Sequence, residues 1–534
     1  MTDLSSIIEF QRRFNQLFSL INEFTKLHNF WMSNKALWNS DEKKNLFHMK
    51  LSIDMSIKYI TSNEFQNYVR SRVSNPKKQI SLNLWGKNPI LKSENLLDIN
   101  SLNLSDCYVM TDVSALGNIQ SLNLTNCKSV IDVSALGNVH TLNLTCCIKV
   151  TDVSSLRNIH TLNLTNCTSI IDVSSLGNVH TLTLSNCSGI FDVSALKNIH
   201  TLKISRCSGI TDVSALRNLH DLDISFCQGI TDVSALGNVN TLKLNKCDGI
   251  TDISALGNVH NLNLSSCEGV HDISALRNIR ILKLYSINGI FDVNSLSNMH
   301  TLSISCCSHI TDISGLKNIH ALSLYGCDGI TDISTLGEVY DLQLLYCEGI
   351  TDVSALGNVH KLSIYGCNGI SDVSSLGGVH TLELSHSRSI TDVSGLGNIY
   401  DLKLAYCKNI TDFSSLGKVH KLSIVACDGL SDVSGLGSGG HTLTLSHSRN
   451  ITDISGLGNV HKLSLTNCEN ITDVSSLGKV HTLNLSHCNG ISDVSALKSV
   501  SVLGLYNCDG INDISCLRNV RFLNVVNCSK ITYY

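Results

Sequence analysis

Residues 139–158 read VHTLNLTCCIKVTDVSSLRN, and the same arrangement recurs every twenty positions along most of the chain. Leu142 and Leu144 are two residues apart, so their side chains share one face of a short strand. Thr141, Asn143 and Thr145 then face the other way. A strand of this length cannot bury its apolar face alone, which predicts that successive units stack as a parallel sheet.

An aspartate occupies the same column of 21 units. It recurs at twenty-residue intervals from Asp112 to Asp432 and, after one inserted residue near Gly439, resumes at Asp453, Asp473, Asp493 and Asp513. About ten positions remain in each unit for the return to the next strand, which suits a turn, a short 3₁₀ helix or an extended segment. The first Leu-x-Leu pair begins at Leu82, and counting onward predicts twenty-three strands over one continuous core.

This pattern resembles the leucine-rich repeat, LxxLxLxx(N/C)xxIxxLxxL, at the short end of its known lengths. The I-T-D-V-S-x-L segment is most similar to the internalin-type class, and the TDVSALGNVHTLNLS arrays are similar to repeat proteins of giant viruses and amoebae. The resemblance implies an α/β leucine-rich-repeat solenoid. Its expected parts are a curved parallel β-sheet with short 3₁₀ or extended return segments, preceded by a small helical N-terminal cap.

The first 79 residues lack the repeat. Apolar residues at 3-4 spacing predict an amphipathic helix over 7–31, and further helical pattern covers 41–59 and 62–73. We therefore expect a helical cap or docking segment at 1–79 and a leucine-rich-repeat domain at 80–534. A helical segment ahead of leucine-rich repeats resembles F-box adaptors, which implies a possible ubiquitin-ligase subunit as partner of residues 1–79. The usual Leu-Pro start of an F-box is missing, since no proline precedes Pro76.

Two further columns recur beside the leucines. The cysteine column, which runs from Cys107 to Cys528, stands where the leucine-rich-repeat family usually has asparagine, so the resemblance implies a buried ladder. Its replacement by Ile287, Ser387 and Ser448 indicates packing rather than metal or disulfide chemistry. A histidine column stands directly before the strands, and its replacement by arginine or tyrosine indicates an exposed, stacked ladder at the rim of the sheet.

The aspartate column has two interpretations. Each carboxylate could accept backbone N–H groups two and three residues further on, as an Asx turn or a 3₁₀ cap. Calcium binding is the alternative, although known calcium repeats supply several acidic oxygens per unit and this repeat supplies one. We expect the capping role and predict no metal site.

The outward positions of the strands change character in the middle of the chain. Early repeats carry threonine and asparagine there, whereas later repeats carry tyrosine and both signs of charge, a composition typical of interface hot spots. The concave face of the sheet is the usual binding surface of the family. We therefore predict partner binding by Phe226, Lys283, Tyr285, Tyr325, Asp341, Tyr346, Lys361, Tyr365, Asp401, Lys403 and Tyr406.

Several functional classes find no support. The sequence contains no G-x-x-x-x-G-K-[ST] and no H-E-x-x-H, and its potential catalytic side chains recur as columns, so we predict no catalytic residues, no enzyme and no cofactor. A formal net charge of −4 over 534 residues argues against nucleic-acid binding, and no apolar run approaches a membrane span. The N-terminus lacks the features of a secretory signal, so we expect a cytoplasmic protein whose 22 cysteines stay reduced.

The function predicted from the sequence is thus a non-enzymatic scaffold that binds another protein on the concave face of the repeat sheet. One alternative is an F-box-like substrate adaptor of a ubiquitin ligase. The other is a structural, self-assembling repeat protein.

Overall fold

The Leu-x-Leu pair of each repeat forms a β-strand, and equivalent residues of neighbouring repeats lie opposite each other. Leu142 is paired with Leu162 in one part of the chain, and Leu342 is paired with Leu362 in another. The structure is a computed structural model that describes residues 48–438 and 442–531. Its registers confirm the predicted parallel stacking of successive twenty-residue units.

The chain divides into two compact units, Met1–His260 and Asn261–Tyr534. The strands of the first unit are β1 Met49–Lys50, β2 Ile80–Asn83, β3 Ser101–Asn103, β4 Ser121–Asn123, β5 Thr141–Asn143, β6 Thr161–Asn163, β7 Thr181–Ser185, β8 Thr201–Ser205, β9 Asp221–Ser225 and β10 Thr241–Asn245. The strands of the second unit are β11 Asn261–Ser265, β12 Ile281–Tyr285, β13 Thr301–Ser305, β14 Ala321–Tyr325, β15 Asp341–Leu345, β16 Lys361–Tyr365, β17 Thr381–Ser385, β18 Asp401–Ala405, β19 Lys421–Val425, β20 Thr442–Ser446, β21 Lys462–Thr466, β22 Thr482–Ser486, β23 Val502–Tyr506 and β24 Phe522–Val526.

The core of each repeat is built from its periodic apolar residues. In the unit that begins at Val139, the side chains with 2 % exposure or less are Val139, Leu142, Leu144, Cys147, Val150, Val153 and Leu156. Leu142 belongs to β5 and Leu144 follows it directly, whereas the last four come from the return segment. Each repeat thus contributes one layer of a continuous apolar stack within its unit.

The aspartate column starts the return segment. Asp152 Oδ1 accepts the backbone N–H of Ser154 at 2.8 Å, and Ser154 begins the 3₁₀ helix Ser154–Leu156. The same bond recurs throughout the column, for example between Asp352 and Ser354 at 2.8 Å. The bond from Ser154 holds the pKa of Asp152 below its ordinary value. The predicted capping role of the column is therefore confirmed.

The cysteine column is buried and bonded between repeats. Cys127 Sγ lies 3.1 Å from the carbonyl oxygen of Leu104, and Cys187 Sγ lies 3.0 Å from that of Leu164, in each case in the preceding repeat. Burial raises the pKa of Cys127 to about 12. The prediction of a buried ladder is confirmed, and these thiols add a contact to backbone carbonyls that already accept a backbone N–H, such as that of Leu104 from Cys107.

The residue before each column cysteine adopts a left-handed backbone conformation. Its φ is 61° at Asn126 and 58° at Asn166, a region in which asparagine is several-fold enriched. Glycine takes this place at Gly326 and Gly366, with φ of 57° and 64°. The sequence analysis did not single out this column, although its run of asparagines is the signal that identifies it.

The described part of the N-terminal segment, residues 48–79, contains three α-helices: α1 Ile53–Thr61, α2 Asn63–Arg70 and α3 Pro76–Gln79. Ser52 caps α1 and Ser62 caps α2, each accepting a backbone N–H three residues on. The predicted helix over 7–31 lies outside the described residues, as does most of the segment on which the adaptor hypothesis depends.

Helices α1 and α2 contact the first repeat. Ser56 Oγ of α1 accepts the backbone N–H of Asn83 in β2 at 2.8 Å. Gln66 of α2 donates to the carbonyl oxygen of Asn95 at 3.1 Å. Tyr59, which is 1 % exposed, fills the space between the helices and the repeat. A small helical region therefore precedes the repeats, as predicted.

Strand β1 corrects the prediction for this segment. Met49 and Lys50 pair in parallel with Ile80 and Ser81, so the helical prediction over 41–59 is wrong at these residues. Met49 and Leu51 are buried while Lys50 between them is exposed, a two-residue alternation that suits a strand. The described residues therefore contain 24 strands rather than twenty-three.

Candidate functional site

The open face of each sheet carries the strand side chains that point away from the Leu-x-Leu pair. In the early repeats this face satisfies its own hydrogen bonds. Asn163 Oδ1 accepts both the backbone N–H and the hydroxyl of Thr165, at 2.9 and 2.6 Å. Asn143 and Thr145 repeat the same arrangement. Such a surface has few polar groups that need an outside partner.

The second unit carries a row of five touching rings on its open face, which we call the aromatic cluster. Tyr325 and Tyr346 lie 5.6 Å apart between ring centroids, and Tyr346 and Tyr365 lie 5.0 Å apart, both pairs edge-to-face. The row continues from Tyr365 to His386 at 4.6 Å and from His386 to Tyr406 at 4.5 Å. These separations lie in the favourable range for aromatic pairs.

Two alternating backbone positions build this row. Tyr325 and Tyr365 are the last residues of β14 and β16, whereas Tyr346, His386 and Tyr406 follow β15, β17 and β18 in the left-handed column. In the β14 and β16 repeats that column holds glycine instead. A Cβ on Gly366 would lie 2.8 Å from the ring of Tyr346, so this glycine leaves the space that the Tyr346 ring needs.

The rings are accessible from solvent. Tyr325, Tyr346 and Tyr406 are 42 %, 44 % and 45 % exposed, and Tyr365 and His386 are half-buried between them. A hydrogen bond with Tyr365 raises the pKa of Tyr346, so the Tyr346 hydroxyl stays protonated at neutral pH. The cluster thus presents an apolar and hydrogen-bonding surface.

Ion pairs between neighbouring strands flank the cluster, two at the first residues of the strands and one at the middle residues of β17 and β18. Lys361 Nζ lies 2.8 Å from Asp341, and Lys403 Nζ lies 2.7 Å from Glu383. A third pair joins Lys421 to Asp401 at 2.6 Å. Each lysine is about half exposed, so the charges are paired but remain in contact with water.

The structure distributes the residues predicted from the sequence over several places. Tyr325, Tyr346, Tyr365 and Tyr406 join the aromatic cluster, and Asp341, Lys361, Asp401 and Lys403 form the flanking ion pairs. Lys283 and Tyr285 lie on β12, two strands before the cluster begins, and both are exposed. Phe226 belongs to the first unit, where the guanidinium of Arg206 lies 4.3 Å from its ring centroid.

His386 was missed by the sequence analysis. It stands in the left-handed column beside Ser387, one of the residues that replace the column cysteine. The local sequence Ser385-His386-Ser387 departs from the repeat at this point, and that departure is the signal that could have identified it. Its ring bridges Tyr365 and Tyr406 and makes the row continuous.

The histidine column forms stacks of rings at the rim, as predicted. In the first unit the rings of His140 and His160 lie 4.5 Å apart and those of His160 and His180 lie 4.4 Å apart. In the second unit tyrosine replaces histidine without interrupting the stack, since Tyr340 lies 4.8 Å from His320 and 4.5 Å from His360. These rings are exposed except for that of His360, which is half-buried.

Within residues 48–438 and 442–531, no helix has both the length and the apolar character that crossing a membrane requires. The sequence matches no protein-family model. No curated protein matches it either.

Solved structures show similarity at low identity. An internalin, InlF from Listeria monocytogenes, is 22 % identical over 66 % of this chain and 87 % of its own, with a TM-score of 0.31. The functional domain of InlJ from the same organism, which includes a cysteine ladder, is 21 % identical over 71 % and 79 %, with a TM-score of 0.33. The mouse RP105/MD-1 complex is 14 % identical over 80 % and 87 %, with a TM-score of 0.48.

The architecture is defined by the chain itself. From β3 to the aspartate Asp513, each unit contributes one parallel strand, one buried cysteine or its replacement, and one 3₁₀ return that begins at an aspartate. With this repeat in the sequence and this architecture in the structure, the chain has the leucine-rich-repeat fold.

Proposed function

We propose that this protein is a non-enzymatic scaffold that binds a partner protein through the open face of its second unit. The observation that carries the proposal is the aromatic cluster, five contacting rings of which three tyrosines are more than two-fifths exposed. Tyrosine is enriched at the centres of protein interfaces because one rigid side chain offers both apolar area and a hydrogen-bonding group.

The support under the cluster favours binding without rearrangement. Leu344 of β15 and Ile364 of β16 are fully buried, and they lie within two residues of Tyr346 and Tyr365 in the sequence. The rings also constrain one another through their contacts, so little side-chain entropy is left to lose when a partner docks. A surface that is ordered beforehand converts more of its buried area into affinity.

The flanking ion pairs suit the rim of such an interface. Lys361 with Asp341, Lys403 with Glu383 and Lys421 with Asp401 each combine opposite charges. Because the pairs are balanced, they add little long-range attraction and instead discriminate between partners through the placement of their own charges. We expect the partner surface to be mostly uncharged, with a groove or ridge that fits the row of rings.

The test is quantitative affinity capture with the full-length chain from cells that express it. The double variant Tyr325→Ser/Tyr346→Ser removes two exposed rings of the cluster. The matched control is Tyr340→Ser/Tyr400→Ser, which removes two rings that are each 48 % exposed but belong to the histidine column.

We expect the cluster variant to lose its specific partner by at least about tenfold, the size of a typical hot-spot loss. The control variant should retain the partner. Equal partner recovery by wild type and cluster variant, with both proteins folded, would contradict binding at this face.

A further inference from the structure

In the first unit, one residue of the histidine column contacts a carboxylate at the start of β9. A column histidine is followed by threonine at Thr141, Thr161, Thr181 and Thr201, but His220 is followed by Asp221. Two other strands start with aspartate, at Asp341 and Asp401, and there the column residue is tyrosine. The pair His220-Asp221 is therefore the one place in the sequence where a column histidine precedes a strand that starts with a carboxylate.

The carboxylate takes the place of a threonine hydroxyl that several other column histidines contact. His160 Nδ1 lies 3.2 Å from Thr161 Oγ1, and His180 Nδ1 lies 3.2 Å from Thr181 Oγ1. At the equivalent position His220 Nδ1 lies 3.3 Å from Asp221 Oδ2. In most of the first unit an imidazole nitrogen thus contacts a hydroxyl oxygen. At His220 it contacts a carboxylate oxygen at nearly the same distance.

A second imidazole lies within reach of this pair. The ring of His200 stacks on that of His220 with centroids 4.4 Å apart. One ligand atom each from His200, His220 and Asp221 lie within 4.8 Å of one another. His220 and Asp221 remain accessible to ions from solvent, since their side chains are 50 % and 39 % exposed.

The distances suit a metal ion after a small movement. Zinc binds imidazole nitrogen and carboxylate oxygen at about 2.0–2.2 Å, so two ligands of a tetrahedral ion are roughly 3.3 Å apart. The His220–Asp221 pair already has this separation, whereas the stacked rings must tilt toward each other by about one ångström. The next residue of the column is Asn240, so no ring of the column covers the outer face of His220 and resists this tilt.

A residue of the preceding strand, β8, donates a hydrogen bond to the Asp221 carboxylate. Thr201 Oγ1 donates to Asp221 Oδ2 at 3.4 Å, and a hydrogen-bonded ligand of this kind is held in a fixed orientation for the metal. We infer that His200, His220 and Asp221 bind a divalent transition-metal ion of the Zn²⁺ class at the end of this imidazole stack. Three protein ligands leave a fourth position for water or for a donor from a bound partner.

Zinc titration of the full-length, metal-free protein by calorimetry tests the inference. We expect one equivalent of Zn²⁺ to bind at micromolar or lower concentration, and the variants Asp221→Asn and His220→Asn to bind it at least about tenfold more weakly. Their thermal unfolding should match that of the wild type, because both side chains lie at the rim rather than in the core.

Cobalt distinguishes this site from the thiols. Co²⁺ bound by two imidazoles and a carboxylate shows visible bands but lacks the near-ultraviolet sulfur charge-transfer band that the partly exposed Cys146, Cys306 or Cys516 would produce. A sulfur band that persists in Asp221→Asn would assign the ion to cysteine and overturn the inference.

A gain-of-site variant provides the sharpest control. The double variant Thr161→Asp/His180→Asn places a carboxylate beside His160, which stacks on His140 at 4.5 Å. It also replaces the ring of His180, which covers the other face of His160, by the asparagine that follows His220 in the natural site, so it should add a second zinc equivalent. Thr161→Asn/His180→Asn has nearly the same shape without the charge and should add none. The inference is overturned if the wild type binds no zinc, if Asp221→Asn binds it as tightly, or if Thr161→Asp/His180→Asn adds no second equivalent.

Discussion

Cys167 Sγ lies 3.0 Å from the carbonyl oxygen of Leu144, twenty-three residues earlier in the chain. The thiol therefore belongs to one repeat and its acceptor to the repeat before. Where serine replaces the cysteine, as at Ser387, the hydroxyl donates to the carbonyl of Ser385 at 3.4 Å and is fully buried. The column thus combines packing with additional hydrogen bonds to buried carbonyls.

The burial of this column predicts its reactivity. Nineteen of the 22 cysteines are buried, and only Cys146, Cys306 and Cys516 are partly exposed. Because the thiolate is the reactive form and burial raises the pKa of Cys127, Cys327 and Cys488 to about 12, a thiol reagent should modify three residues in the native protein. The same reagent should modify all 22 in denaturant. Native modification of many more thiols, measured by intact mass, would contradict the buried ladder.

The aspartate column predicts a difference between two substitutions. Asp352→Ala removes the oxygen that accepts the Ser354 N–H, so we expect a lower melting temperature. Asp352→Asn keeps an acceptor oxygen in the same place and should melt close to the wild type. Calorimetry of both variants checks this, and an alanine variant as stable as the asparagine variant would count against the capping role.

Acid should destabilise the fold through the same column. The N–H of Ser354 holds the pKa of Asp352 below its ordinary value of 3.8, and the pKa values of Asp332 and Asp372 are lowered in the same way. Since the unfolded chain binds these protons more readily, this stabilisation is complete above about pH 4 and is lost as the pH falls below it.

The measurement is the melting temperature between pH 5 and pH 2. A variant in which Asp332, Asp352, Asp372 and Asp412 are all changed to Asn keeps the acceptors but cannot titrate there. We expect its melting temperature to fall less with acid than that of the wild type. Parallel curves for the two proteins would show that the column contributes nothing to acid sensitivity.

Two glycines of the left-handed column form a matched pair for the aromatic cluster. Gly326→Ala and Gly366→Ala both place a Cβ at positive φ, which should destabilise each variant by about 1–2 kcal/mol. At Gly326 the Cβ would meet only Cys306 Sγ at 3.8 Å, whereas at Gly366 it would meet the Tyr346 ring at 2.8 Å. We therefore expect near-ultraviolet circular dichroism of tyrosine to change in Gly366→Ala far more than in Gly326→Ala. Identical spectra would mean that the ring does not occupy this space.

Much of the fold followed from the twenty-residue period. Because Leu142 and Leu162 are one period apart, stacking the units brings them opposite each other, and the burial of the cysteine column and the capping by aspartate follow from the same geometry. Strand β1 could not be predicted from the period, because Met49 and Lys50 lie outside the repeat. They form a strand by pairing with the edge of β2.

The candidate sites were predicted only in part. Tyrosines such as Tyr325 and Tyr365 stood out by composition, but their contact through Tyr346 depends on the left-handed backbone before each column cysteine. His386 joins the row for the same reason. His220 and Asp221 are adjacent in the sequence but belong to different columns. Because each column was considered separately, the contact between this imidazole and this carboxylate was not predicted.

The amino-acid sequence by itself determined the repeat, the direction in which each side chain points and the layers of the core. Those properties depend on spacing along the chain, and a period of twenty repeats them without further information. Only the tertiary structure decided which side chains of different columns touch. Such contacts depend on backbone φ and on ring orientation across neighbouring strands, and these are set by packing between repeats rather than by the order of residues within one.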